Sequence, residues 1–337
     1  MPPKTNSVFN LAAVFKSLVV MIMAMVAVSV VWMLFNLTTV RDWIILAGYN
    51  PPKSIIAIAN EDQMTPYAKT LFYVNRPAIL GKSQFAQQCP NRLEQSYVIG
   101  CYHGGDNGIF LLDVTDPRLN GIIPVTAAYE MLHAGYARLS VVQRTSLDAS
   151  MWAYYEKYVS SPEIHQQMAS YAKTEPGAKY DELYSVLGTE VMNLSPQLER
   201  HYKLYFTNRQ TIVKTYLGYE AEFTQRQQQI ASDDLQLNNL KYQITADQTK
   251  LTSWQVFINT QAGQMKALLN SGDYNAYNSL IPVYNNQVNA YNQLLAQTKS
   301  LITQYNNLVN TRNSLALEEQ QLVQSLNSSS LPALTTK

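Results

Sequence analysis

The stretch Val125-Thr126-Ala127-Ala128-Tyr129-Glu130-Met131-Leu132-His133-Ala134 decides how the middle of this 337-residue chain is read. Val125, Ala128, Leu132, Tyr136 and Leu139 recur at spacings of three and four, the stripe of a core-facing helix. Pro124 suits the first turn of that helix. Tyr129 and His133 then share a face beside the stripe, one turn apart, with Glu130 next to the tyrosine.

Upstream, Ser96-Tyr97-Val98-Ile99-Gly100-Cys101-Tyr102 and Gly108-Ile109-Phe110-Leu111-Leu112-Asp113-Val114 read as two strands. The polar loop His103-Gly104-Gly105-Asp106-Asn107 joins them into a hairpin, and Asp116-Pro117 marks a turn before the helix. Ser54–Ala59 and Leu71–Val74 are short apolar stretches bounded by Pro and Asn, so residues 37 to about 120 look mixed. Downstream, helices are predicted from Leu147 to Tyr158 and from about Ala178 to Glu190. Ser195-Pro196 reads as an N-cap followed by proline at the first helical position of a fourth helix.

The last third is a different kind of sequence. Tyr216, Phe223, Ile230, Leu237, Ile244, Leu251, Ile258 and Met265 repeat every seven residues, a seam about 75 Å long at the usual helical rise. Ser271-Gly272-Asp273 interrupts it. Leu294, Leu301, Leu308, Leu315 and Leu322 then form a second series, flanked by Ile281, Val288, Leu295, Ile302 and Val309. Two heptad arms joined by a glycine-containing turn predict an antiparallel helical hairpin, with self-association as a parallel dimer the alternative. Between Tyr274 and Thr311 only Lys299 is charged, and Tyr-Asn recurs at 274, 277, 284, 291 and 305. That face packs as tyrosine and leucine, or offers stacked aromatics and amides to a glycan.

At the other end, Leu18 to Phe35 is an apolar run whose only polar residue is Ser29. With its neighbours it reaches the roughly 20 residues that cross a bilayer core. A cleaved signal peptide should be shorter and end in small residues, whereas this run ends in Trp32-Met33-Leu34-Phe35, so a retained membrane anchor over 18–36 is predicted. Lys4 and Lys16 precede it, while Arg41 and Asp42 cancel after it, which predicts a cytoplasmic N-terminus and an extracytoplasmic bulk. Cys89 and Cys101 fit an oxidising compartment, where a disulfide would close a short loop; two buried free thiols are the alternative. With a net charge of +1, only 15% of residues charged and no basic block, nucleic acid is not an expected partner. The resulting segments are a cytoplasmic tail (1–17), the anchor (18–36), an extracytoplasmic domain (37–205), a coiled-coil hairpin (206–328) and a disordered tail (329–337).

Tyr129-Glu130-Met131-Leu132-His133 is the helical zinc motif His-Glu-x-x-His with tyrosine in place of the first histidine. In the intact motif the two histidines hold zinc and the glutamate acts as general base on water. A neutral phenol is a poor zinc ligand, and its ionisation costs the gap between a pKa of about 10 and working pH. An intact catalytic site keeps three protein ligands and one open position.

The run 110–119 leading into 125–134 resembles a group of bacterial membrane-anchored proteins that carry a zincin-like motif reading Ala-His-Glu-Met-Leu-His-Ala. The likeness extends through Gly100-Cys101-Tyr102, Leu187-Gly188-Thr189-Glu190 and Leu198-Glu199-Arg200-His201-Tyr202, and includes the single anchor and the Tyr-Asn-rich coiled tail. It implies an α+β zincin-like domain of the gluzincin type in the cell envelope and no particular substrate. If the domain is active, a peptide or envelope protein is the expected substrate class. Carried over, Glu130 is the general base, His133 a zinc ligand, and Glu190 (or, second, Glu182) the third ligand. Tyr129 stands as a weak ligand or oxyanion donor. His201 is an alternative ligand, while His103 and His165 receive no role. The expectation is a metallopeptidase-like protein with weak or absent zinc and little activity. The competing expectation is a non-enzymatic envelope protein acting through its coiled coil.

Overall fold

A computed structural model of the chain describes residues 11–90, 98–105, 107–174 and 177–327. The first half of the predicted hairpin strand (Ser96, Tyr97), Asp106 of its loop, the start of the predicted cytoplasmic tail and the predicted disordered tail lie outside the described residues. The described chain forms two compact units. One runs to Asp113 and resumes at Ile123–Lys214; the other comprises Val114–Ile122 and Thr215–Asn327.

The first unit begins with α1 (Leu11–Phe35). Within it Phe15–Leu34 is long and apolar enough to cross a membrane, and none of that span is buried by the rest of the molecule. After a break at Asn36 come α2 (Leu37–Leu46), α3 (Lys53–Glu61) and α4 (Pro66–Val74). The apolar stretches 54–59 and 71–74 are therefore parts of short helices. Thr65 caps the second of them by accepting a hydrogen bond from Ala68 N, with Pro66 at the first helical position.

Strand β1 (Ala78–Leu80), α5 (Lys82–Gln88), β2 (Gly100–His103) and β3 (Gly108–Leu112) follow. The predicted hairpin is present, with Cys101 opposite Phe110 and His103 opposite Gly108. The sheet order is β1-β3-β2, so the unpredicted β1 pairs parallel to β3 and leaves β2 at the edge. Ile109, Leu111 and Leu112 of β3 are buried.

Beyond the sheet lie α6 (Ile122–Ala137), α7 (Val141–Tyr158), α8 (Pro162–Thr174), α9 (Lys179–Thr189) and α10 (Pro196–Tyr202). Helix α7 starts six residues earlier than its apolar pattern suggested, because Ser140 and Gln143 form a reciprocal capping box. Ser195 caps α10 as the sequence indicates, accepting from Leu198 N. The core between these helices is dominated by Met131, Leu132, Leu183, Tyr184, Leu187, Tyr202 and Tyr205.

The second unit is a helical hairpin of α11 (Arg209–Ser271, 63 residues) and α12 (Tyr274–Leu326, 53 residues), α11 entering it at Thr215. The chain reverses at Gly272, whose φ of 78° suits a residue without a side chain. Asp273 then caps α12 by accepting from Ala276 N. Arg226 meets Glu318 (3.4 Å), Arg312 meets Asp234 (2.9 Å) and Thr298 Oγ1 donates to Asp247 Oδ2 (3.4 Å), the receding pairs of an antiparallel seam. Alternating with the apolar heptad column of α11 is a second column that includes Arg226, Asp233, Asp247 and Gln261, of which Asp233 and Gln261 are buried.

Candidate functional site

Glu130 and His133 both lie buried on α6, and Gly100 explains how the edge strand reaches Glu130. A methyl group at Gly100 would stand 2.7 Å from Glu130 Oε1 and run into Thr126. Only glycine lets β2 lie that close to the helix. On the opposite side α9 packs against α6 through Gly188, where a methyl group would overlap Leu132. Ser185 Oγ fixes the pairing by donating to the Tyr129 carbonyl (3.1 Å).

This packing brings the first turn of α9 to the Tyr129–His133 face. The Tyr129 hydroxyl donates to Glu182 Oε2 at 2.6 Å, and His133 Nε2 faces the same oxygen at 3.8 Å. His133 Nδ1 is 2.8 Å from Asp181 Oδ1, and the tyrosine and histidine rings meet edge-on at 5.1 Å. A carboxylate bound to one ring nitrogen orients the other toward a prospective ligand, the usual support for a metal-binding histidine. Asp181 was not singled out in the sequence. Its only signal was adjacency to Glu182 in an acidic first turn.

Glu190 is placed differently. It is the C-cap of α9, two turns beyond Glu182, and its Oε1 accepts from Gln167 Nε2 at 3.5 Å. Its charge still acts on the Tyr129 phenol, but Glu182 is the carboxylate in contact with that hydroxyl. His201 has its Nε2 2.7 Å from the Tyr184 hydroxyl, and burial lowers its pKa. His165 bridges the Tyr155 hydroxyl and the Val159 carbonyl.

The electrostatics follow from three acids around one imidazole. Burial pushes the Tyr129 hydroxyl well above the usual phenol range, and the charge of Glu182 pushes it further. For His133, burial favours the neutral ring, but Glu182, Asp181 and Glu130 together overcome it and raise the pKa to about 10. A cation binding His133 Nε2 must displace that proton, which costs about 4 kcal/mol at pH 7 for a three-unit gap. Taking the Tyr129 hydroxyl as a ligand would require a second, harder deprotonation. The donor set therefore fits a divalent cation in part. His133 and Glu182 converge with an orienting Asp181 in place, and Tyr129, one turn before His133, offers a hydrogen-bond donor.

Compared with known proteins, the chain matches no protein-family model, no curated protein and no solved structure.

Two further features bear on the site. Cys89 and Cys101 form a disulfide with Cα atoms 5.9 Å apart, tying the end of α5 to the residue after Gly100. His103 Nε2 lies 3.4 Å from Cys101 Sγ and 2.9 Å from the Gln88 carbonyl. Arg209, which the sequence did not reveal, is buried at the start of α11. It donates to the carbonyls of Leu187 (3.1 Å), Val191 (2.7 Å) and Met192 (2.8 Å) and pairs with Glu199 (2.6 Å). It thus fastens the C-terminal end of the helix that carries Asp181 and Glu182.

Proposed function

We propose that this chain is a membrane-anchored, extracytoplasmic protein whose α+β domain is a degenerate zincin-type metallopeptidase homologue with weak zinc affinity and little or no peptidase activity. The observation that carries the reading is the Tyr129–Glu182 hydrogen bond at 2.6 Å beside a His133 already oriented by Asp181. A hydroxyl proton occupies the carboxylate that an incoming cation would need. Were zinc bound, His133 and Glu182 would hold it, and it would supply Lewis-acid polarisation of a peptide carbonyl. Glu130, buried beside the edge strand β2, would take a proton from water near that strand. A peptide or envelope-protein segment is the substrate class this arrangement suits.

The test is zinc affinity by chelator competition in the wild type and in Tyr129→His. Restoring the imidazole removes the phenol's proton cost and adds a ligand, so affinity should rise roughly 100-fold or more. A wild-type chain that keeps one zinc through chelator dialysis and cleaves peptides at about 1 per second or faster would overturn the proposal.

The neutral, tyrosine-rich α12 supports a second reading, in which the hairpin binds an envelope partner or a second copy and the domain is scaffold. It predicts that Tyr129→His changes zinc affinity by less than about threefold.

A further inference from the structure

Asp42 of α2 and Arg138 of the α6–α7 junction form a bidentate ion pair at 2.5 and 2.9 Å, with Asp42 buried. Two exposed apolar pairs flank it. Trp43 and Ile44, directly after Asp42, are 73% and 63% exposed. Val141 and Val142, three and four residues after Arg138, are each 80% exposed at the start of α7. Tyr67 lies on α4, against which α2 packs, and both charges of the ion pair act on its hydroxyl. Ser140 holds the two valines out by capping α7, so they are not a frayed end.

Chain length limits where this corner can be. Asp42 is six residues beyond Asn36, where α1 ends, which is about 9 Å of helix. The headgroup layer outside the hydrocarbon core is itself roughly 5–8 Å deep. We infer that the corner formed by α2 and the start of α7 docks on the lipid bilayer, with Trp43, Ile44, Val141 and Val142 inserted at the headgroup–acyl boundary. Tryptophan and tyrosine are the residues that favour that depth, having an apolar ring and a polar edge. The inference rests on α1 being a retained anchor. Its consequence is orientation: the Asp42–Arg138 pair welds the inserted helix to α6, so the face carrying Glu130 and His133 would hold a fixed attitude to the membrane.

Single cysteines at Ile44, Val142, Tyr158 and Val26 test it in the full chain, since the native cysteines are tied to each other. Each is labelled with an environment-sensitive fluorophore in nanodiscs carrying spin-labelled lipid, quenching either near the headgroup or at mid-bilayer. Tyr158 is exposed and sits sixteen residues along α7 from Val142, about 24 Å away. Labels at 44 and 142 should lose about half of their emission to the shallow quencher, and the label at 158 almost none. If Val26 is quenched at mid-bilayer while 44 and 142 stay bright, the docked corner is wrong and the anchor stands. An unquenched Val26 removes the anchor and the corner together. Equal quenching at 158 would mean general adsorption and would also overturn the proposal.

Discussion

Arg209→Met removes a guanidinium that, in a buried position, donates to four backbone carbonyls and one carboxylate. The Gly188 carbonyl is the most distant of the four, at 3.5 Å. Methionine fills much of the volume but donates nothing, so the carbonyls of Leu187, Val191 and Met192 lose a shared partner. Each orphaned buried acceptor costs on the order of 1–3 kcal/mol, and the Glu199 charge adds to that. Glu199 keeps 30% of its side chain exposed and the loop carbonyls can recruit water, so the total settles near the 3–5 kcal/mol of a broken buried pair. For a domain of about 150–250 residues each kcal/mol moves the midpoint by roughly 2–4 °C, giving an expected fall of about 10 °C. Arg209→Lys should recover only a minor part, since one ammonium cannot reproduce the planar fork. Thermal unfolding of the detergent-solubilised chain gives the magnitude, and hydrogen exchange of the α9 amides gives the location. A midpoint shift under about 2 °C with α9 protection unchanged would refute the clamp.

Three other expectations follow from the same geometry. His133 has its folded-state pKa raised to about 10 by its carboxylates, so its stabilising contribution is complete below about pH 6.5. That contribution is lost as pH rises toward 10; with chelator present, urea unfolding across that window should show a decline that His133→Gln abolishes. Gly100→Ala should destabilise by about 1–3 kcal/mol through overlap with Thr126 and Glu130, with partial rescue by Thr126→Ser, which removes the clashing methyl. Replacing both cysteines by serine opens a loop with a sequence separation of 12 and should cost about 3 kcal/mol in denaturant titrations. An equal loss on reducing the wild type would tie the effect to the disulfide alone.

The long periodic segments were legible because each carries its signal locally. The heptad columns, the stripe on α6 and the apolar run of α1 each repeat enough to outweigh chance. Helices α3 and α4 were not read because nine residues give too few turns of apolar pattern. Strand β1 has three residues and exists only because β3 pairs with it, a long-range fact absent from the local sequence. At the site, Tyr129, Glu130 and His133 came directly from spacing. The resemblance favours Glu190 over Glu182, whereas Glu182 is the one that meets Tyr129 and His133. Eight residues make little more than two turns and leave both near one flank of α9. The docking of α9 on α6 through Gly188 separates them, and that depends on shape rather than on pattern. Arg209 was invisible for the opposite reason, being one cation at a helix start whose partners come from three other segments.

The seam of the hairpin carries a consequence for how its length can change through evolution. Its polar positions are matched across the two arms, Arg226 with Glu318, Asp234 with Arg312 and Asp247 with Thr298. An insertion in one arm would slide every residue farther from Gly272 than the insertion past its counterpart. A heptad added to α11 between Asp247 and Gly272 would set Asp234 against Glu319. An insertion of one heptad in each arm, placed symmetrically about Gly272, would leave all of them matched. Lengthening is thus confined to paired steps, each extending the hairpin by about 10 Å.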